Sequence, residues 1–337
     1  MLSPHFSNND FVDLCYRRLL QRPADSAGLR DNVAALTGGL SRLEFIASLV
    51  SSPEYYTILN RALFGAVELP TLSNMRPHNY RTAETTDGLD IRVFDARSLA
   101  DFDWLEQMIR QYGYYDRPGV WSLAIDPDKQ MLAEIVQRLT NGRVLEIGCS
   151  TGPVLKLLLD KGFQADGVEI SHMALALAYG EVRPRIYYGD ILEISLPANY
   201  AMILGMDVFE HLNPRKIPRY LKRCYDLLLP GGLLLANIPA FGHDPVFGEV
   251  FPLYCRDWLR SSVDVDPFWS VPVDAKGWPI LGHLTWAMAN WWQSSFEQAG
   301  FIREFDRECT IHAKYDKHFE SGSIARKSFF IFSKRTS

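Results

Sequence analysis

No apolar run in this 337-residue sequence approaches the roughly 18 residues that a membrane-spanning helix needs. The longest, Ala201–Met206 and Leu233–Ile238, have the length of strands. No C-x-x-C pair occurs among the five cysteines, Cys15, Cys149, Cys224, Cys255 and Cys309; their number is odd and their spacing wide. This argues against a disulfide framework and against a cysteine zinc site. The first ten residues lack a basic segment leading into an apolar one, so no signal peptide is expected and the cytoplasm is the expected compartment. Positive charge is also short, 35 Lys and Arg against 40 Asp and Glu. The net charge of -5 argues against broad capture of nucleic acid or anionic lipid, although a local basic patch stays open. What is present is ordinary for a folded chain: 47% hydrophobic and 22% charged residues, which excludes wholesale disorder. At about 150 residues per domain, the length points to two domains.

From Asn9 to Tyr56 apolar residues recur at helical spacing: Phe11, Leu14, Cys15 and Leu19, then Leu29, Val33 and Leu36, then Leu43, Ile46, Ala47 and Val50. Three short helices fit, broken at Pro23–Gly28 and at Thr37–Ser41, with Ser41 and Glu44 spaced as a capping box. The segment Leu14-Cys-Tyr-Arg-Arg-Leu-Leu-Gln-Arg-Pro-Ala-Asp-Ser-Ala-Gly-Leu29, followed by Gly38-Gly-Leu-Ser-Arg42 and Ser51-Ser-Pro-Glu-Tyr55, resembles a small bacterial helical domain of unknown function. That family is found on extracellular repeat proteins and on enzymes of surface-glycan assembly. Gln21 stands where the family usually has glycine, and Asn32 falls near its usual tryptophan. The resemblance implies an all-α domain over 1–68 that carries no chemistry and serves to dock another protein or to pack.

Residues 69–101 are polar, with two prolines and little periodicity, and read as a linker. Helical spacing resumes over Phe102–Thr140, first with Trp104, Leu105, Met108 and Ile109, then with Leu132, Ile135, Val136 and Leu139. Between them Tyr112–Trp121 is strongly aromatic, as a lid over a ligand or a packing segment would be. Beyond Gly142 short apolar runs alternate with helical stretches. Arg143–Ile147, Ala165–Ile170, Arg185–Tyr188, Ala201–Met206 and Leu233–Ile238 read as strands; Pro153–Lys161 and Ile217–Leu229 read as helices. The predicted fold class is α/β, a doubly wound, mostly parallel sheet that binds its ligand beyond the carboxyl ends of the strands.

The first of these strands ends Glu146-Ile-Gly148-Cys149-Ser-Thr-Gly152. Glycines at 148 and 152 let the backbone turn and approach a ligand closely. A dinucleotide site wants G-x-G-x-x-G facing a pyrophosphate, whereas Glu146 beside this loop would repel two phosphates and suits a cation. That disfavours a nicotinamide-dependent oxidoreductase. The second strand ends in Glu169, placed to accept both hydroxyls of a ribose, with Ile170 after it. The third ends in Asp190-Ile191, a carboxylate for a purine amino group and an apolar face for the ring. Sulfonium, ammonium, ribose and adenine together describe S-adenosylmethionine. These motifs, with Leu229-Pro-Gly-Gly232, resemble the class I S-adenosylmethionine-dependent methyltransferases from Gly142 to the C-terminus. The resemblance implies a Rossmann-like sheet of seven strands, the last two from Arg303–Thr310 and Ser328–Ser333. It places Glu146, Gly148, Cys149 and Gly152 at the methionine end, Glu169 and Ile170 at the ribose, Asp190 and Ile191 at the adenine, and Met206 and Asp207 beside the cofactor.

A sugar hydroxyl that receives the methyl needs a base or a metal; a carboxylate needs neither. In Asp207-Val-Phe-Glu210-His211 a helical turn would set Asp207, Glu210 and His211 on one face, where they could hold a divalent cation together with His283 or His243. Most relatives with D-x-x-E-H are metal-free and use the acid and histidine to brace the loop, so the expected metal ligands are none. His283, ahead of a helix at Trp286–Ala299, is the expected general base, with His211 and Asp207 assisting. Six of the eight tryptophans lie between Trp258 and Trp292, in and after an insertion over 239–285 that suits a saccharide or other flat acceptor. The expected activity is O-methylation of a saccharide or glycan-precursor hydroxyl. A natural-product or quinone-like phenol, a carboxylate, or a non-catalytic cofactor-binding scaffold are the alternatives.

Overall fold

The computed structural model describes residues 7–52, 54, 55, 58, 80–83, 91–94, 96, 98–111, 114–116, 123–250, 271–273, 279, 282–322 and 324–336. Two units separate, Met1–Glu68 with Asp116–Gly119, and Leu69–Tyr115 with Val120–Ser337. No helix among the described residues is long and apolar enough to cross a membrane.

In the first unit three helices form where the period puts them: α1 (Asn8–Leu19), α2 (Ser26–Thr37) and α3 (Arg42–Val50). Ser7, Asp25 and Ser41 cap them, and Ser41 with Glu44 completes the expected capping box. The buried face of α1 is Phe11, Val12, Cys15 and Tyr16, one step round from the expected Leu14 and Leu19, and Phe11 meets Phe45 at 5.8 Å. Gln21, in the place of the usual glycine, takes a left-handed φ of +54° just after α1.

In the second unit seven strands form one sheet: β3 (Val144–Ile147), β4 (Ala165–Glu169), β5 (Ile186–Tyr188), β6 (Tyr200–Met206), β7 (Leu228–Asn237), β9 (Phe301–Arg303) and β10 (Phe329–Lys334). Their order is β5-β4-β3-β6-β7-β10-β9, parallel from β5 to β7 and antiparallel through β10. The central strands read as unbroken apolar runs because both faces are covered. Val144, Met202 and Leu204 point into one core with Leu155, Ile311 and Tyr315; Leu145 and Ile203 point into the other with Leu221, Trp292 and Phe296. The helices supplying those layers are α5 (Pro127–Leu139), α6 (Pro153–Asp160) and α10 (Phe305–Gly322) on the first face, and α8 (Ile217–Leu227) and α9 (Ala289–Gln298) on the second.

Several expectations need correction. Of the expected sixth strand, Arg303–Thr310, only Arg303 is extended, as the last residue of β9; residues 305–310 open α10, whose buried Ile311, Tyr315 and Phe319 repeat at four residues. The strand expected from Leu233 already begins at Leu228, so Leu229–Gly232 lies inside β7 beside a shift in register. The stretch 69–101, read as a linker, contributes β1 (Tyr80–Ala83) and β2 (Ile91–Phe94), which pair with β8 (Val271–Val273) in a separate antiparallel sheet, and starts α4 (Leu99–Gln111). The helix expected from Trp286 begins at Ala289, and Trp286 and Trp292 are core residues, 2% and 0% exposed. Trp258, Trp269 and Trp278 lie outside the described residues.

Candidate active site

The parallel strands end together, so the turns after β3, β4, β5 and β6 meet at one edge. Gly148, at φ +66°, makes the first turn, where a Cβ would come within 2.8 Å of Val208. Glu169 at the tip of β4 accepts the backbone N–H of Ser150 at 2.7 Å and those of Ile170 and Ser171 at 2.8 Å each. One carboxylate thus ties the glycine loop to the next strand. Asp190 accepts the Leu192 N–H at 2.9 Å, the Tyr220 hydroxyl at 2.7 Å and the Arg110 guanidinium at 3.3 Å.

These residues border a cavity of about 510 Å³, its open mouth included. It is lined by Gly148, Glu169, Ile170, Asp190, Ile191 and His211, all named from the sequence. Glu106, Arg110 and Tyr115 from α4 and its following turn, and Tyr220 from α8, line it as well and were not foreseen. The aromatic run beginning at Tyr112 was the only signal for that wall. Tyr115 donates to the His211 carbonyl at 3.0 Å, and burial pushes its phenol up, with the Glu106 charge adding.

Six other expected residues do not line this cavity. Glu146 lies within β3, 3% exposed; its carboxyl takes a backbone hydrogen bond from Leu155 of α6. Its other oxygen has no hydrogen-bond partner among the described residues, and burial, then the Glu169 charge, drive its pKa well up. Cys149 is 1% exposed in the core, its thiol also raised by burial. Gly152 is the left-handed N-cap of α6 at φ +79°, and Met206 belongs to the apolar core. Asp207, at φ +51°, leaves the helical face assumed for it: the turn is a short 3-10 helix over Phe209–His211, and Asp207 pairs with Arg326 at 3.6 Å. His283 is 6% exposed and sits against His211, ring centroids 5.0 Å apart and nearly perpendicular.

Instead of the expected face, Glu210, His211 and His283 come together, with one ligand-type atom of each within 4.8 Å of the others. Asp207 and the exposed His243 are not in the group. His211 Nδ1 donates to the Gly282 carbonyl at 3.1 Å, which leaves Nε2 as the acceptor nitrogen. Burial lowers the His211 pKa to about 4 and, helped by His211, lowers that of His283 well below the usual range. Both imidazoles are therefore neutral near pH 7.

A family model described as a methyltransferase domain matches residues 125–308, more than half of the chain. The chain belongs to this methyltransferase family. A second model, a domain of unknown function (DUF4214), matches residues 2–58. Among curated proteins, the methyltransferase is similar to a malonyl-(acyl-carrier protein) O-methyltransferase of Priestia megaterium, 31% identical over 140 residues that cover 38% of this chain and 49% of that one. It is also similar to an uncharacterized methyltransferase of Staphylococcus carnosus, 29% identical over 106 residues covering 32% and 51%. The chain spans about half the length of these relatives. Among solved structures, a SAM-bound amino pentose methyltransferase of Micromonospora echinaspora gives a TM-score of 0.41 at 17% identity, covering 61% of this chain and 90% of that one. A SAM-bound phosphoethanolamine N-methyltransferase of Haemonchus contortus gives 0.40 at 18%, covering 73% and 62%.

The residues fit S-adenosylmethionine by their own chemistry. Carboxylates at the tips of two adjacent strands face one cavity, with Ile170 and Ile191 supplying apolar faces.

Proposed function

We propose that this methyltransferase transfers the methyl of S-adenosylmethionine to a hydroxyl oxygen of a small acceptor, a saccharide or glycan precursor. The observation that carries the reading is the cavity in which Glu169 and Asp190 share a wall with His211. S-adenosylmethionine supplies an electrophilic methyl on sulfonium. Glu169 would take the ribose hydroxyls, and Asp190 with Ile191 the adenine. Tyr115, Arg110 and Glu106 line the same cavity, with Arg110 on Asp190 and Tyr115 on the His211 carbonyl. The acceptor oxygen forms its bond to the methyl carbon as the carbon–sulfur bond breaks, and that electron pair stays on sulfur as a neutral thioether. The hydroxyl proton leaves on the side of the cavity that His211 lines. His283, the expected base, stands behind His211 and does not reach the cavity.

Support for an oxygen acceptor comes from the acid–imidazole cluster and from the similarity to the Priestia O-methyltransferase. The saccharide class rests on the N-terminal module, which we read as a docking unit for a protein partner and which matches its family model over residues 2–58. The test is incubation with S-adenosylmethionine and a panel of free sugars, sugar nucleotides, phenols and carboxylates, scored by S-adenosylhomocysteine release and acceptor mass. Methylation of a sugar hydroxyl is the expected result. Turnover confined to phenols or carboxylates would overturn the acceptor class, and product binding without any turnover would make the fold a scaffold.

A further inference from the structure

Glu210 is 1% exposed, yet neither of its carboxylate oxygens has a hydrogen-bond partner among the described residues. A carboxylate out of water with nothing to pair with is costly, and native structures keep such groups for a reason. His283 Nδ1 is likewise buried and unpartnered, and His283 Nε2 stands 3.9 Å from Glu210 Oε1. His211 completes the group, its Nδ1–H spent on the Gly282 carbonyl and its Nε2 lone pair available. A backbone carbonyl on one ring nitrogen is the usual way a metal-binding imidazole is held in the right tautomer and orientation.

We propose that Glu210, His211 and His283 form a binding site for a divalent first-row transition cation beside the methyl-acceptor cavity. Two imidazole nitrogens and one carboxylate oxygen select borderline ions such as Zn²⁺, Co²⁺ or Fe²⁺ over Mg²⁺ and Ca²⁺, which prefer an all-oxygen shell. The cation gives Glu210 the counter-charge it lacks. Of the three ligands, His211 lines the cavity.

The ligands are held before any ion arrives. The Glu210 carbonyl accepts the N–H groups of Leu284 and Thr285 at 2.8 Å each, and the Thr285 hydroxyl donates to the Leu212 carbonyl at 2.5 Å. Gly282 allows the approach: at φ +74°, a Cβ there would lie 2.3 Å from Tyr114 Cε1 and 3.1 Å from His211 Nδ1. Two loops about 70 residues apart in sequence are thus laced around three ligand atoms. Resting on the methyl-transfer reading, the site would favour acceptors that present two adjacent oxygens, as sugar diols do, because one cation can take both.

The test uses the full chain, stripped with chelator and titrated with Co²⁺ and with Zn²⁺. Co²⁺ is followed by its visible ligand-field absorption and Zn²⁺ by elemental analysis after gel filtration. The expected result is one ion per chain, with affinity at least 100-fold weaker in Glu210→Gln and in His283→Ala. Because His283 does not line the cavity, His283→Ala should keep S-adenosylhomocysteine affinity within about threefold, which shows that the variant is folded. Absence of stoichiometric Co²⁺ and Zn²⁺ binding by the wild type would overturn the proposal. So would a Glu210→Gln chain that binds the ion as tightly as the wild type. Failure of S-adenosylhomocysteine to bind would instead strike the methyltransferase site and leave the cation titration standing as its own readout.

Discussion

Replacing Glu169 with glutamine probes the turn that shapes the cofactor cavity. The carboxylate accepts three backbone N–H groups, Ser150 on Oε2 and Ile170 and Ser171 on Oε1. Glutamine has one acceptor oxygen. Its better orientation keeps the Ile170 and Ser171 bonds and turns an amide N–H toward the Ser150 N–H, which lies 2.7 Å from the present oxygen. Losing a hydrogen bond to a charged group costs about 1.5–3 kcal/mol, so the fold should weaken by that amount. The ribose hydroxyls lose a charged acceptor of similar worth, which lowers cofactor affinity roughly 10- to 150-fold. Calorimetry with S-adenosylhomocysteine reads the second effect and urea unfolding the first. Affinity within twofold of the wild type would refute the ribose assignment. Unchanged stability would refute the tie between Ser150 and Glu169.

Two further substitutions test the two units away from the cavity. Arg303, 6% exposed, donates to Asp244, Glu308 and Gln293, and burial pushes the Glu308 carboxyl up despite it. Arg303→Met should cost about 3–5 kcal/mol by leaving two buried carboxylates without their cation, read as a lower urea midpoint; a loss below 1 kcal/mol would contradict this. Gln21→Gly should stabilise the N-terminal unit by about 1 kcal/mol, since the left-handed φ of +54° strains any residue with a Cβ. Hydrogen exchange over α1 and α2 checks it, and unchanged protection would contradict it.

Much of the sheet was readable because its strands are short apolar runs bounded by turns, and because Glu169 and Asp190 stand at the strand ends where a ligand must sit. Glu146 was misplaced by a smaller margin. It was expected beside the cofactor, but the side chain is committed to the first turn of α6 and stays buried. Asp207 was grouped with Glu210 and His211 on the assumption of α-helical spacing. A left-handed residue followed by a 3-10 turn rotates it out of the group and lets His283, far along the chain, take the place. Arg303–Thr310 was read as a strand because the run was too short to display the four-residue repeat that continues through Phe319. Arg110 and Glu106 were not legible at all, and Tyr115 only as part of the aromatic run read as a lid or a packing segment. They reach the cavity by packing of α4, and Arg110 meets Asp190 across 80 residues of sequence that carry no local mark of the contact.

The central claim is that the strand-tip cavity holds the adenosyl group of S-adenosylmethionine. A crystal structure with S-adenosylhomocysteine tests it most directly. The account predicts ribose hydroxyls within hydrogen-bond reach of Glu169, adenine against Ile191 with its edge at Asp190, and the sulfur facing His211. The product bound elsewhere, or that cavity empty beside it, would contradict the account.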